Sequence, residues 1–133
     1  MSERTLKAAG WQPQSRPAED AEIRAYRQLI IEAIYGIYYS KKERLAAKQM
    51  PPQPVTLQEI FDRVKSMVNE RRSTGDWPFG VHEKRYVDRR VNEVATAKYA
   101  VGGVPKVVAV RAGLYEPNKV CFLFHKDTEV QRF

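Results

Sequence analysis

Three runs decide how this chain folds: VTLQEIFDRV at residues 55–64, KRYVDRRVNEVA at 84–95 and VPKVVAVRAGLYEPNKVCFLF at 104–124. In the first, Thr56 is followed three residues later by Glu59. At that spacing the hydroxyl and the carboxylate each take up a backbone N–H that a helix start leaves without a partner. Ile60, Phe61, Val64, Met67 and Val68 then recur at three- and four-residue steps, which predicts a helix to about Glu70 with one apolar face. The second run predicts a helix over 82–97. The third is rich in β-branched residues and is broken by Glu116-Pro117-Asn118, which reads as a turn between strands at 104–114 and 119–124.

On a helical wheel, Val87, Val91 and Val94 fall within about 60° of one another. With Ala95 they make the core face of the second run. Arg85, Arg89, Asn92 and Thr96 fall within about 60° on the opposite side and form one continuous stripe. These residue types match the edges of base pairs. Arginine can place two parallel hydrogen bonds on guanine, asparagine two on adenine, and threonine offers thymine a hydroxyl and a methyl group. Lys84 and Arg90 flank the stripe, where charge counts more than pattern and a phosphate is the natural partner. Asp88 and Glu93 are close enough to orient these cations or to neutralise them. The same residue types also suit a plain solvated helix face. The capped helix before and the hairpin after favour binding.

Upstream, residues 19–48 predict a long helix. Ile23, Tyr26, Ile30, Ala33, Ile34 and Ile37 share one face. Ile31, Tyr35 and Tyr39 form a second stripe with Tyr38 beside it. A helix apolar over so much of its surface is usually covered on two sides, so Ile31, Tyr35, Tyr38 and Tyr39 are the candidate dimer or partner interface. Asp20 and Glu22 lie near its start and Lys41, Lys42 and Arg44 near its end, as the helix dipole favours. Gly36 weakens the helix and allows a neighbour to come close. Pro51, Pro52 and Pro54 end it. Residues 1–17 read as a flexible arm with Trp11 as its one large apolar group. The segment RRSTGDWPFGVHE at 71–83 reads as a loop, in which Trp77 and Phe79 pin the chain to the core more naturally than they stack on bases. The chain thus divides into the arm, 1–17, and a single domain, 18–133.

Taken in order, residues 55–124 resemble the winged helix-turn-helix DNA-binding superfamily. VTLQEIFDRV is similar to the first helix of the helix-turn-helix pair. YVDRRVNEVA resembles the recognition helix, and VVAVRAGLYEPNKVCFLF resembles the wing. The fold class implied is α+β: a winged helix-turn-helix over 56–97, a long N-terminal helix, and a C-terminal β-hairpin wing over 104–124. The resemblance implies that helix 82–97 enters the major groove of double-stranded DNA. Arg85, Arg89, Asn92 and Thr96 would face the bases, Lys84 and Arg90 would lie near phosphates, and Lys119 at the wing tip would reach the backbone or minor groove. A homodimer built on the first helix would read two half-sites about one helical turn apart. The departure is the link between the two helices. It runs to about ten residues here, whereas a helix-turn-helix usually has about three to four.

The charge points the same way. The chain has 23 Lys+Arg against 16 Asp+Glu, a net +7, and residues 84–119 alone hold eight basic against three acidic residues. A cationic excess gathered on one helix and a hairpin is the footprint of a polyanionic partner. Chemistry is poorly provided for. His82 and His125 are the only histidines and lie in different segments, and neither a glycine-rich phosphate loop nor metal-ligand spacing is present. No catalytic residue, metal or cofactor is therefore expected. Cys121, the one cysteine, rules out an intrachain disulfide and reads as a small core residue in a reducing compartment. No run approaches a membrane span, so a cytoplasmic location without a membrane partner is expected. The function these features favour is sequence-specific DNA binding by a small transcriptional regulator. A winged-helix protein-interaction module working through the tyrosine surface remains an alternative, as does an RNA-binding protein with Trp77 and Phe79 as stacking platforms.

Overall fold

The capping pattern of the first run forms as the spacing predicts. In the computed structural model, which describes residues 15–119, the Thr56 hydroxyl accepts from the Glu59 amide at 3.1 Å. The Glu59 carboxylate accepts from the Thr56 amide at 2.9 Å. This box starts helix α2, Leu57–Ser73. Its far end closes on Gly75 at φ 80°. The Gly75 amide donates to the Arg72 carbonyl and the Asp76 amide to the Arg71 carbonyl. Those bonds satisfy the last carbonyls through a left-handed residue, so α2 runs a few residues beyond the expected end.

Helix α1, Ser15–Ala46, precedes it. It begins four residues before the expected start because Pro17 falls in the first turn, where a missing N–H breaks no helical bond. Residues 1–14 of the expected arm, with Trp11, lie outside the described residues. The helix ends ahead of the prolines by the same device as α2, this time on a non-glycine residue. Gln49 adopts φ 59°, its amide donates to the Ala46 carbonyl, and the Met50 amide donates to that of Leu45.

Helix α1 is the spine of the molecule. Tyr26, Leu29, Ile30, Ala33, Ile34, Ile37 and Tyr38 are buried along it. It packs against α2, against α3 (Lys84–Val94) and against two of three short strands. The strands are β1 (Val55–Thr56), β2 (Val107–Arg111) and β3 (Leu114–Pro117), in the antiparallel order β1-β3-β2. From α2 come Ile60, Val64 and Val68; from α3, Val87, Val91 and Val94; from the sheet, Val55, Val107 and Tyr115. The expected core faces of α2 and α3 are thus the buried ones, with Phe61, Met67 and Ala95 at their margins.

The hairpin departs from expectation. Its turn is Ala112-Gly113 rather than 116–118, and Arg111 pairs with Leu114 across it. Gly113 supplies the positive φ, 78°, that a two-residue turn needs. Glu116 and Pro117 belong to β3, opposite Val108 and Val107. The second strand expected at 119–124, with Cys121, lies outside the described residues beyond Lys119. Strand β1 was not expected at all. Val55 and the capping residue Thr56 extend the hairpin by one strand, with Val55 opposite Tyr115. Among the described residues no helix is long and apolar enough to cross a membrane.

One buried cation ties these parts together. Lys41 Nζ donates to the Pro54 carbonyl at 2.8 Å and meets Glu59 at 3.0 Å. Burial alone would raise the Glu59 carboxyl. The Thr56 amide and Lys41 outweigh that and hold it below its ordinary value. A lysine expected to serve the helix dipole instead locks the end of α1 onto the start of α2.

Candidate nucleic-acid interface

The candidate surface is the outer face of α3. What α3 presents outward is set by how its inner side is held. Three valines bury one face. Beside them, Arg90 is buried too, at 7% exposure. Its guanidinium lies 4.8 Å from the centroid of the Tyr86 ring and pairs with Glu93 at 2.9 Å. Glu93 also receives Arg27 of α1 at 2.8 Å, so one carboxylate joins the two helices through two arginines. Arg90 was expected near phosphates. The structure instead holds it inside the molecule, and its Nε is buried without a hydrogen-bond partner among the described residues.

The other acidic residue of α3 is also engaged. Asp88 pairs with Lys84, one turn earlier, at 2.7 Å. It faces the hairpin as well: burial, with the Asp88 charge adding, raises the phenol of Tyr115 above its ordinary value. Lys84 is thus half-exposed and paired. Arg85 and Arg89 are exposed and have no ion-pair partner among the described residues. Asn92 is exposed beside them. Three of the four stripe residues therefore stand together on the open side of α3.

Thr96 does not continue the stripe. The helix ends at Val94, and Thr96 is extended at φ −113°, ψ 129°. Its hydroxyl donates to the Asn92 carbonyl at 2.8 Å, a local bond that competes with helix continuation. Lys119 is exposed but lies past the end of β3, away from the hairpin tip. The cation at the tip is Arg111, exposed and next to the turn. Sequence reasoning missed it by misplacing the turn, although Gly113 between two β-rich runs was the signal for it.

The link before α3 is anchored by aromatic rings. Trp77 packs edge-on against Tyr26 at 5.1 Å between ring centroids, and Phe79 against Trp77 at 5.2 Å. His82 stacks on Tyr86 at 3.7 Å and bonds Glu22 of α1 at 2.8 Å. The hydroxyl of Tyr26 and the indole N–H of Trp77 both donate to the Gly80 carbonyl. Trp77, buried at 7% exposure, is a core anchor and offers no face for stacking a base.

The candidate dimer surface is largely used within the chain. Tyr38 is buried at 8% exposure and belongs to the core. Tyr35 is half-buried and donates to the Lys106 carbonyl at 2.7 Å. Ile31 lines a cavity beside the segment that follows α3. Tyr39 is half-buried and packs on Tyr38 at 5.3 Å.

No family model, curated protein or solved structure matches this chain. A functional reading therefore rests on the site alone. The outer face of α3 carries two exposed guanidinium groups one turn apart with an asparagine beside them; among the described residues neither guanidinium has an ion-pair partner and no group of three or more metal-ligating side chains occurs.

Proposed function

We propose that α3 is a DNA-recognition helix and that the chain is a sequence-specific double-stranded DNA-binding protein of winged-helix type, working as a small transcriptional regulator. One observation carries this reading. Arg85 and Arg89 are exposed and have no ion-pair partner among the described residues, while Asp88 and Glu93, the acids of α3 itself, are held by Lys84, Arg27 and Arg90. Exposed arginines on a helix whose own carboxylates are occupied keep both parallel donors for a guanine edge. Asn92 beside them suits adenine. The element order α1-β1-α2-α3-β2-β3 and the strand order β1-β3-β2 support the winged-helix assignment, with the β2–β3 hairpin as a short wing. Arg111 and Lys119 are then the hairpin-side cations for phosphates. Arg90, with Glu93 and Arg27, sets the seat of α3 on α1 without touching DNA.

The test is a fluorescence-anisotropy titration of random-sequence duplex DNA at two salt concentrations, followed by selection of a preferred site. With about four phosphates neutralised, the logarithmic salt slope should lie near about −3.6. Arg85→Ala/Arg89→Ala should abolish preference for the selected site, and each single variant should cost about 1–3 kcal/mol on it. Equal losses on every sequence would make the two arginines phosphate contacts. Salt-independent or absent duplex binding would refute the proposal. Tighter binding to single-stranded RNA than to duplex would replace it with the RNA reading.

A further inference from the structure

A second cationic feature lies where α1 meets the segment after α3. Gly102 and Gly103, at φ 76° and 77°, reverse the chain there and carry Val104 back toward α1. The result is a cavity of about 320 Å³, within the size range of small-ligand sites. Its apolar wall is Ile31, Val94, Tyr99 and Val104. Tyr99 and Val104 are 42% and 47% exposed, large apolar side chains presented to solvent around a concave surface. Arg24, Arg27 and Lys106 complete the lining.

The three cations differ in state. Arg27 is fixed: it pairs with Glu93 and lies 4.5 Å from the centroid of the Tyr99 ring. Arg24 and Lys106 are exposed, and their side chains have no ion-pair partner among the described residues. The carboxylate of Glu32, one turn after Gln28 of the lining, is occupied by Gln28 and Arg71. A concave apolar wall with two unneutralised cations at its edge is complementary to a molecule with an apolar body and an anionic end.

We propose that this cavity is a binding site for a small amphipathic anion, an aromatic or branched aliphatic carboxylate. Its apolar body packs on Ile31, Val94, Tyr99 and Val104, and its carboxylate is held by Arg24 and Lys106. The site lies apart from the Arg85–Arg89 face and does not depend on whether that face binds DNA. The probe is naphthoate, with naphthalenemethanol as a neutral molecule of similar shape, titrated into the full chain under heteronuclear NMR. Saturable shifts confined to Ile31, Val94, Tyr99 and Val104 are expected. Arg24→Glu and Lys106→Glu, both at exposed positions and folded by their amide spectra, should each weaken naphthoate about tenfold, equivalent to about 1.4 kcal/mol. They should leave naphthalenemethanol nearly unchanged. Val104→Trp, which fills the cavity, should abolish both. Shifts that fail to saturate or spread over the surface would overturn the proposal. So would charge-reversal variants that bind naphthoate as well as the parent.

Discussion

Arg90 shows at the scale of one residue how a side chain can be legible in a sequence and still be misassigned. On the helical wheel it falls about 40° beyond Val94, at the margin of the valine face. Periodicity therefore already placed it toward the interior, and only its charge and the resemblance drew it outward. Guanidinium groups tolerate such margins when a carboxylate and a ring receive them, and Glu93 and Tyr86 do so here. Tyr38 is similar: it follows Ile34 by four residues, on the main stripe, and is buried with it. What no single-residue reading could supply was the partner from another element, such as Arg27 for Glu93. Gly36 shows the converse, a sequence feature with a milder cause than expected. A Cβ built there meets only the Arg63 guanidinium, at 3.1 Å. Arg63 is exposed and that group is the end of a flexible chain, so it can give way. Gly36→Ala should therefore raise unfolding free energy by about 0.5–1 kcal/mol, because alanine restricts the unfolded chain and favours the helix. Urea denaturation will show it as a higher midpoint with an unchanged slope; a lower midpoint would mean that Arg63 is held in place.

At the scale of elements, helices were the readable part and the hairpin was not. Three helices followed from three- and four-residue steps, with the core faces of α2 and α3 as expected; that of α1 also takes in Leu29 and Tyr38 and leaves out Ile23. The capping box fixed the start of α2 to the residue. Helix ends were harder because they depend on left-handed residues, Gln49 and Gly75, whose effect is a few local bonds rather than a pattern. The hairpin failed because two turn signals competed. Pro117 and Asn118 are strong turn residues, yet Pro117 lies at the end of β3, where a missing N–H breaks no essential ladder bond. Asn118 donates instead to the Pro105 carbonyl at 2.8 Å and closes the base of the hairpin. Gly113 alone carries the turn, and a Cβ there would sit 3.7 Å from Leu57, so space is adequate and φ is the constraint. Gly113→Val should cost about 1–2 kcal/mol, since a β-branched residue in the left-handed region clashes with its own backbone. The loss should appear in the urea midpoint and in hydrogen exchange of the β2 and β3 amides. An unchanged midpoint would place the turn elsewhere.

Over the whole molecule, α1 carries packed tyrosines near both of its ends. Tyr26 holds the aromatic link before α3, and Tyr38 and Tyr39 pack near the other end of the helix. This makes the fold sensitive to alkali in a way that its net charge alone does not predict. Burial pushes the Tyr26 phenol to about 12, with Glu22 and Tyr86 adding to the rise against hydrogen bonds that lower it. Burial also pushes Tyr39 to about 12. Both stand above the ordinary value of 10.0. A raised folded value means that the folded state holds the proton more tightly than the unfolded chain does. The stability linked to it is therefore complete below pH about 10 and is lost as pH rises toward and through about 12. Urea midpoints should be flat up to about pH 10 and fall steeply above it. The part of the tyrosinate absorbance that comes from the buried phenols should rise together with loss of the helical circular-dichroism signal rather than ahead of it. Tyr26→Phe separates the contributions. It loses the bond to the Gly80 carbonyl and should be about 1 kcal/mol less stable at neutral pH, yet its decline above pH about 10 should be shallower, because one of the two most strongly raised phenols is gone. If the variant and the parent decline in parallel, Tyr26 titrates freely in the folded state, and the ring cluster that holds the link to α3 is looser than its 5.1 Å packing on Trp77 indicates.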